Sequence, residues 1–325
     1  MNTKTTTIAS ENQGIPFGQQ CLEVWNRYSM YIIFGIIVVI SALISDAFFT
    51  QNNLINVLKQ VSVNGIISMG MLLVIIIGGI DLSVGSVLAL TGALVAGLQL
   101  KLPLYQAVSL ALIAGALPGL ISGFFITKTK MAPFIMTLAM MTIARGMGFI
   151  YSNGTPIQVS NERFTELGGG TLGIIPYPVL IMLGVALIIH FIVKRTTFGR
   201  EVIAVGNNEE AARLAGIPVN RIKLLTYTIC AALSALAGIV LTSRLYIAEP
   251  MAGSGFELDA IAACVIGGAS FNGGIGNVPG TLIGVVTLGL INNIMNLLNI
   301  QSYPQQVIKG LIIIAAIVAR REEKR

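Results

Sequence analysis

The chain has 325 residues, 54% of them hydrophobic and 10% charged, with a mean hydropathy of +0.83. A soluble globular domain carries about 25% charged residues, so the composition excludes one and points to a protein embedded in a bilayer. The formal net charge of +6 serves as a membrane-sorting signal and requires no nucleic-acid partner.

Residues 1–27 are polar and include Lys4, Glu11, Glu23 and Arg27. No short apolar core follows a basic start, so they read as a cytoplasmic tail before an uncleaved first span. Apolar runs bounded by turn signals then predict an all-α, polytopic bundle of about ten spans occupying residues 28–319. The expected spans are Tyr28 to Phe49, Gln60 to Gly79, Val84 to Leu100, Leu104 to Thr127, Pro133 to Tyr151, Pro178 to Val193, Ile222 to Ile247, Leu258 to Ala269, Val278 to Leu298 and Pro304 to Ala319. Continuous apolar runs exclude a barrel, whose strands alternate. With the N-terminus inside, 14 of the 20 basic residues fall on the cytoplasmic side, including the C-terminal segment 320–325. Tyr105, Tyr151, Tyr177, Tyr246 and Tyr303 mark the outer boundary, where amphipathic rings prefer to lie. Both termini are therefore expected in the cytoplasm.

Between the second and third spans, the run GGIDLSVGS puts one carboxylate, Asp81, among Gly78, Gly79, Ser83 and Gly85. Glycine permits a tight reversal. A carboxylate at a helix start accepts bonds from free amides and complements the dipole. The sequence places this turn near the cytoplasmic side and favours capping of the third helix for Asp81, ahead of gating or ATPase contact and, last, proton coupling. In the fourth span Gly115, Gly119 and Gly123 stand four apart on one face around Pro118, a pattern that lets helix backbones approach closely.

The longest hydrophilic stretch on the cytoplasmic side, residues 194–223, contains a complete short helix. Asn207 is the expected N-cap, with Glu210 three residues on in the capping-box arrangement and Glu209 beside it; Gly216 and Pro218 close the helix. Ala211, Ala212, Arg213 and Leu214 are good helix formers, but about eight residues cannot hold a helix alone in water, so the apolar Ala211, Leu214, Ala215 and Ile217 must face either their own domain or a partner. On the outer side, Glu249, Glu257 and Asp259 form an acidic rim, either solvated or meeting a docking protein. In the ninth span Asn292, Asn296 and Asn299 are expected along one face, as are Asn64 and Ser68 in the second. Such groups either receive substrate hydroxyls or bond neighbouring helices. Cys21, Cys230 and Cys264 have no disulfide or metal-ligand spacing, and no metal site is expected.

Four stretches, GGIDLSVGSVLALTGA, GNNEEAARLAGIPVNRIK, ELDAIAACVIGG and GGIGNVPGTLIG, together resemble the ribose-type permease family of carbohydrate ABC importers over about residues 50–319. The resemblance implies a multi-pass subunit of the bacterial inner membrane, paired with a second permease subunit, identical or paralogous. It also implies a cytoplasmic ATPase, a periplasmic sugar-binding protein and a monosaccharide substrate. Glu209, Glu210, Ala211, Ala212, Arg213, Leu214 and Gly216 then form the loop that contacts the ATPase. The chain contains no Gly-Lys dipeptide and hence no P-loop, so ATP and magnesium belong to another chain and this one is not an enzyme. An ion-coupled secondary transporter is the alternative, but it needs coupling residues near the midplane. A membrane enzyme needs converging acid-base groups, and there is a single histidine, His190.

Overall fold

The computed structural model describes residues 17–321. Lys4, Glu11, Lys324 and Arg325 lie outside the described residues. The chain forms α1 (Phe17–Ile44), α2 (Gln51–Ile76), α3 (Val84–Leu98), α4 (Leu104–Lys128), α5 (Pro133–Ser152), β1 (Ile157–Gln158), α6 (Glu162–Gly169), β2 (Thr171–Leu172) and β3 (Ile175–Pro176). It continues with α7 (Tyr177–Arg195), α8 (Thr197–Asn207), α9 (Glu209–Leu214), α10 (Val219–Leu245), β4 (Ile247–Ala248), α11 (Phe256–Ile266), α12 (Val278–Leu297) and α13 (Ser302–Arg321). The two-residue strands pair antiparallel, β1 with β4 and β2 with β3.

Every expected apolar stretch is helical. Six of the helices, α2, α4, α5, α7, α10 and α12, are long and apolar enough to cross a membrane. α3 and α11 have 15 and 11 residues, so they reach only ~22 and ~16 Å against a hydrocarbon core of roughly 30 Å. Neither crosses alone. Three further elements escaped the apolar pattern. α1 begins at Phe17, inside the expected polar tail; α6 and α8 are amphipathic helices outside the apolar runs.

α2 lies at the centre, buried almost continuously from Val61 to Ile76, as a helix apolar all round should be. The outward faces of α4, α5 and α7 display Ile113, Phe124, Ile143, Ile150, Leu187 and Phe191, a surface suited to lipid or to another span. Small residues bring the inner helices together. Gly70 of α2 meets the Cys230 backbone of α10, while Gly119 and Gly123 of α4 meet the backbone at Tyr227 and Leu224. The glycine stripe of α4 is thus its contact with α10, as its spacing predicts.

The break before α3 has a different depth from the one expected. Residues 194–223 and the ends of α2 and α11 share what is here called the basic end: Gly206 of α8 packs on Ile76, whose carbonyl accepts from the Gly274 amide at 2.8 Å. From there residues 77–83 climb back alongside α10, past Tyr227 at Gly79 to Cys230 at Asp81. Cys230 lies about 17 Å along α10 from Val219. Asp81 therefore sits well inside the helix layer, where the sequence put it near the basic end. The correction is geometric: the chain turns at Gly78 and then runs back along α10 before a second turn leads into α3.

Candidate functional site

α3 starts inside the layer because its first turn is supplied locally. Asp81 Oδ1 accepts from the Ser83 amide at 2.9 Å and from the Ser83 hydroxyl at 2.6 Å, and the Val87 amide donates to the Ser83 carbonyl. Gly78 takes φ +77°, which only glycine adopts without strain. A Cβ on Gly79 would strike the Tyr227 hydroxyl, and one on Gly85 would strike the Gly253 carbonyl. Asp81 is fully buried. Its carboxylate lies beside the Cys230 thiol, a weak donor, and Oδ2 has no hydrogen-bond partner among the described residues.

α11 also starts inside the layer, against α3. β4 pairs with β1 at the end away from the basic loops, and residues 249–255 descend from it until Gly253 touches Gly85. Arg145 of α5 holds this descent, its Nη1 donating to the carbonyls of Pro250 and Ala252, both at 2.8 Å. The N-terminal ends of α3 and α11 thus meet and the helices run apart, α3 outward and α11 toward the basic end. Beside the meeting point a cleft of about 470 Å³ opens between α3, α5 and α11, with Ser86, Thr142, Arg145, Phe149, Ser254 and Glu257 in its lining. Of these Glu257 belongs to the acidic set singled out in the sequence. The rest are ordinary polar or aromatic residues whose convergence needs the fold, although positions 142, 145, 146 and 149 already share one helical face.

The expected acidic rim divides. Glu249 is exposed beside β4. Glu257 instead lines the cleft, its Oε1 accepting from the Gly255 amide at 3.2 Å. Asp259 is 6% exposed and ion-paired to Lys309 of α13 at 3.0 Å. Both moved inward because the segment before α11 dips into the layer.

The asparagine ladder also breaks. α12 ends at Leu297, and Asn299 follows in the left-handed conformation, φ +53°, off the helical face. Asn296 accepts from Gln305 at 2.9 Å. Asn292 is buried with Oδ1 unbonded, as are Asn64 Oδ1 and Ser68 Oγ. Asn293, which the i, i+4, i+7 reading passed over, exchanges hydrogen bonds with Asn53 of α2 at 3.0 and 2.7 Å. None of these lines the cleft, and among the described residues no group of three or more His, Cys, Asp or Glu gathers as a metal would need.

At the basic end α9 is shorter than expected, six residues, and its N-cap is Asn208 rather than Asn207. Asn208 Oδ1 accepts from the Ala211 amide at 2.9 Å; the cap shifts by one because α8 extends through Asn207. The Gly216 amide bonds Arg213 and the Ile217 amide bonds Ala212, with Gly216 at φ +81°, closing the helix as a glycine at C′ does. Ala212 is buried and anchors α9 on its own domain. Glu209 bonds Arg213 at 3.0 Å and Lys223 of α10 at 2.5 Å, while Glu210 lies 3.9 Å from Arg213. Leu214, however, is 88% exposed.

The family model described as branched-chain amino acid transport system / permease component matches residues 53–317. The chain is 46% identical to the ribose import permease protein RbsC of Haemophilus influenzae over 294 residues, 89% of this chain and 91% of that one. It is 43% identical to RbsC of Bacillus subtilis over 323 residues, covering 98% and 99%. To the L-arabinose transport system permease protein AraH of Escherichia coli it is 37% identical over 326 residues, 98% of each. No solved structure matches the chain. A helix layer with two broken segments, an amphipathic loop at its basic end and these matches agree, and the chain belongs to this family of multi-pass transport permease components.

Proposed function

We propose that the chain is the membrane-spanning permease subunit of an ATP-driven, binding-protein-dependent importer of ribose or a related monosaccharide. The observation that carries this reading is Leu214, an apolar side chain left exposed on a capped helix at the basic end, in a chain whose relatives are named as ribose and arabinose permeases.

In this reading α9 enters a groove on a cytoplasmic ATPase, which binds ATP and magnesium. Glu209, Glu210, Ala211 and Arg213 border the contact, and Ala212 and Gly216 fix the helix that presents it. Movement of α9 reaches the layer by two routes. The Glu209 to Lys223 ion pair pulls on α10, and α8 leans on the end of α2 through Gly206, just before the ascent to Asp81. A second permease subunit completes the pathway, and a periplasmic sugar-binding protein docks at the opposite end near Glu249.

Vesicles carrying the assembled importer distinguish this from ion coupling. Vanadate or ATP depletion is expected to stop ribose uptake, whereas dissipating the proton gradient at fixed ATP leaves it running. The reverse pattern would favour a secondary transporter.

A further inference from the structure

The cleft between α3, α5 and α11 has the chemistry of a ligand site. Charged side chains in membrane spans face a protein interior or a water-filled path rather than lipid, and this cleft holds both Arg145 and Glu257. No ion pair joins the two among the described residues. Arg145 uses Nη1 on the Pro250 and Ala252 carbonyls, which leaves the Nη2 side of its fork and Nε to donate. Glu257 Oε2 lies against Gly85 of α3 at the edge of the cleft. Ser86 also lines the cleft, with its hydroxyl buried beneath the surface.

The volume, about 470 Å³, lies within the ~300–1,000 Å³ typical of small-molecule sites. Its exposed lining is mostly apolar, with Phe149 supplying an aromatic surface and Arg145 and Glu257 the charged groups. One guanidinium and one carboxylate leave it without net charge, which favours a neutral polyhydroxyl ligand over an ion.

We infer that this cleft holds the sugar in transit, its hydroxyls meeting Thr142, Arg145 and Glu257 and its apolar face lying against Phe149. The inference rests on the sugar-permease reading and adds where, within this chain, the sugar is touched. It replaces the asparagine ladder, since Asn296 bonds Gln305 and Asn299 has left the helix.

Gly146 offers the test, because it lines the cleft and a Cβ there would meet nothing within 4 Å. In the assembled importer, reconstituted with its ATPase and binding protein, Gly146→Trp is expected to bring labelled ribose uptake to background while assembly stays at the wild-type level. The near-isosteric Glu257→Gln removes one charge-assisted acceptor and should lower the maximal uptake rate about ten-fold, with the half-saturating ribose concentration unchanged. It keeps the test decisive if Gly146→Trp does not assemble. Leu187→Trp, on the exposed face of α7, should transport like wild type. A wild-type importer that takes up no monosaccharide overturns the permease reading and the inference with it. Wild-type uptake matched by Glu257→Gln, or by an assembled Gly146→Trp, overturns the inference alone, as does competition of ribose uptake by excess leucine.

Discussion

Asp81 and Leu214 both occupy surroundings that oppose their chemistry, one a carboxylate with no exposure and the other an isobutyl group 88% exposed. Their compensations differ. Burying a carboxylate costs several kcal/mol, and Asp81 is met within its own chain by the amide and hydroxyl of Ser83. Those bonds fix Ser83, the residue from which α3 starts, in the middle of the layer, where water is not at hand to satisfy free amides. Leu214 has no such neighbour: α9 is anchored through Ala212, and its leucine points away. A misplaced residue whose partners lie in the same chain reports on the fold. One without them reports on a second molecule.

The largest test of that distinction is Leu214→Asp. Because the side chain supports nothing inside the subunit, the variant should reach the membrane at the wild-type level yet lose ATPase association and transport. A hot-spot contact contributes about 2 kcal/mol or more, enough to reduce association ~30-fold, as a pull-down of the ATPase would read. Retained association would make Leu214 a simple surface residue. Asp81→Ala should act in the opposite way, on stability first. Leaving the Ser83 donors unpaired costs about 1–3 kcal/mol, visible as a lower melting temperature of the purified protein in detergent. Asp81→Asn keeps an acceptor and should melt closer to wild type; equal melting of all three would remove the capping role.

Much of this contrast was legible in the sequence. Apolar runs located the spans because lipid demands them, and the glycines at 115, 119 and 123 announced a close helix contact that α4 and α10 make. The capped helix with Gly216 behind it was readable to within a residue, its cap displaced only because α8 runs through Asn207. What hydropathy does not encode is depth. A segment that dips into the layer and returns has the same local composition as a surface turn, so Asp81, Glu257 and Asp259 were placed too near the rims. Ser86, Thr142 and Ser254 become a group only when α3, α5 and α11 converge, and no local pattern carries that convergence.

A smaller effect is expected from Asn208→Ala. Loss of an N-cap typically costs about 1 kcal/mol, and α9 has only six residues to absorb it. Leu214 would then be presented by a fraying helix, so ATPase association should weaken about five-fold without the complete loss of Leu214→Asp. Coupled ATP hydrolysis measured against ATPase concentration reads the difference, as a shifted midpoint with the same plateau. A lower plateau would mean that Asn208 itself takes part in the contact.

Arg213→Ala should change least. Its side chain is 47% exposed and bonds Glu209 at 3.0 Å, a geometry that contributes ~0–1 kcal/mol in water. Glu209 does not depend on it, because Lys223, 18% exposed, holds the other oxygen and ties α9 to α10. The helix keeps its tether, its cap and its leucine, and uptake should stay within about two-fold of wild type. Uptake lost as completely as with Leu214→Asp, at normal membrane levels, would show that Arg213 exchanges Glu209 for a carboxylate on the ATPase. The docking surface would then be polar as well as apolar, and the contrast with Asp81 would concern the whole exposed face of α9 rather than a single leucine.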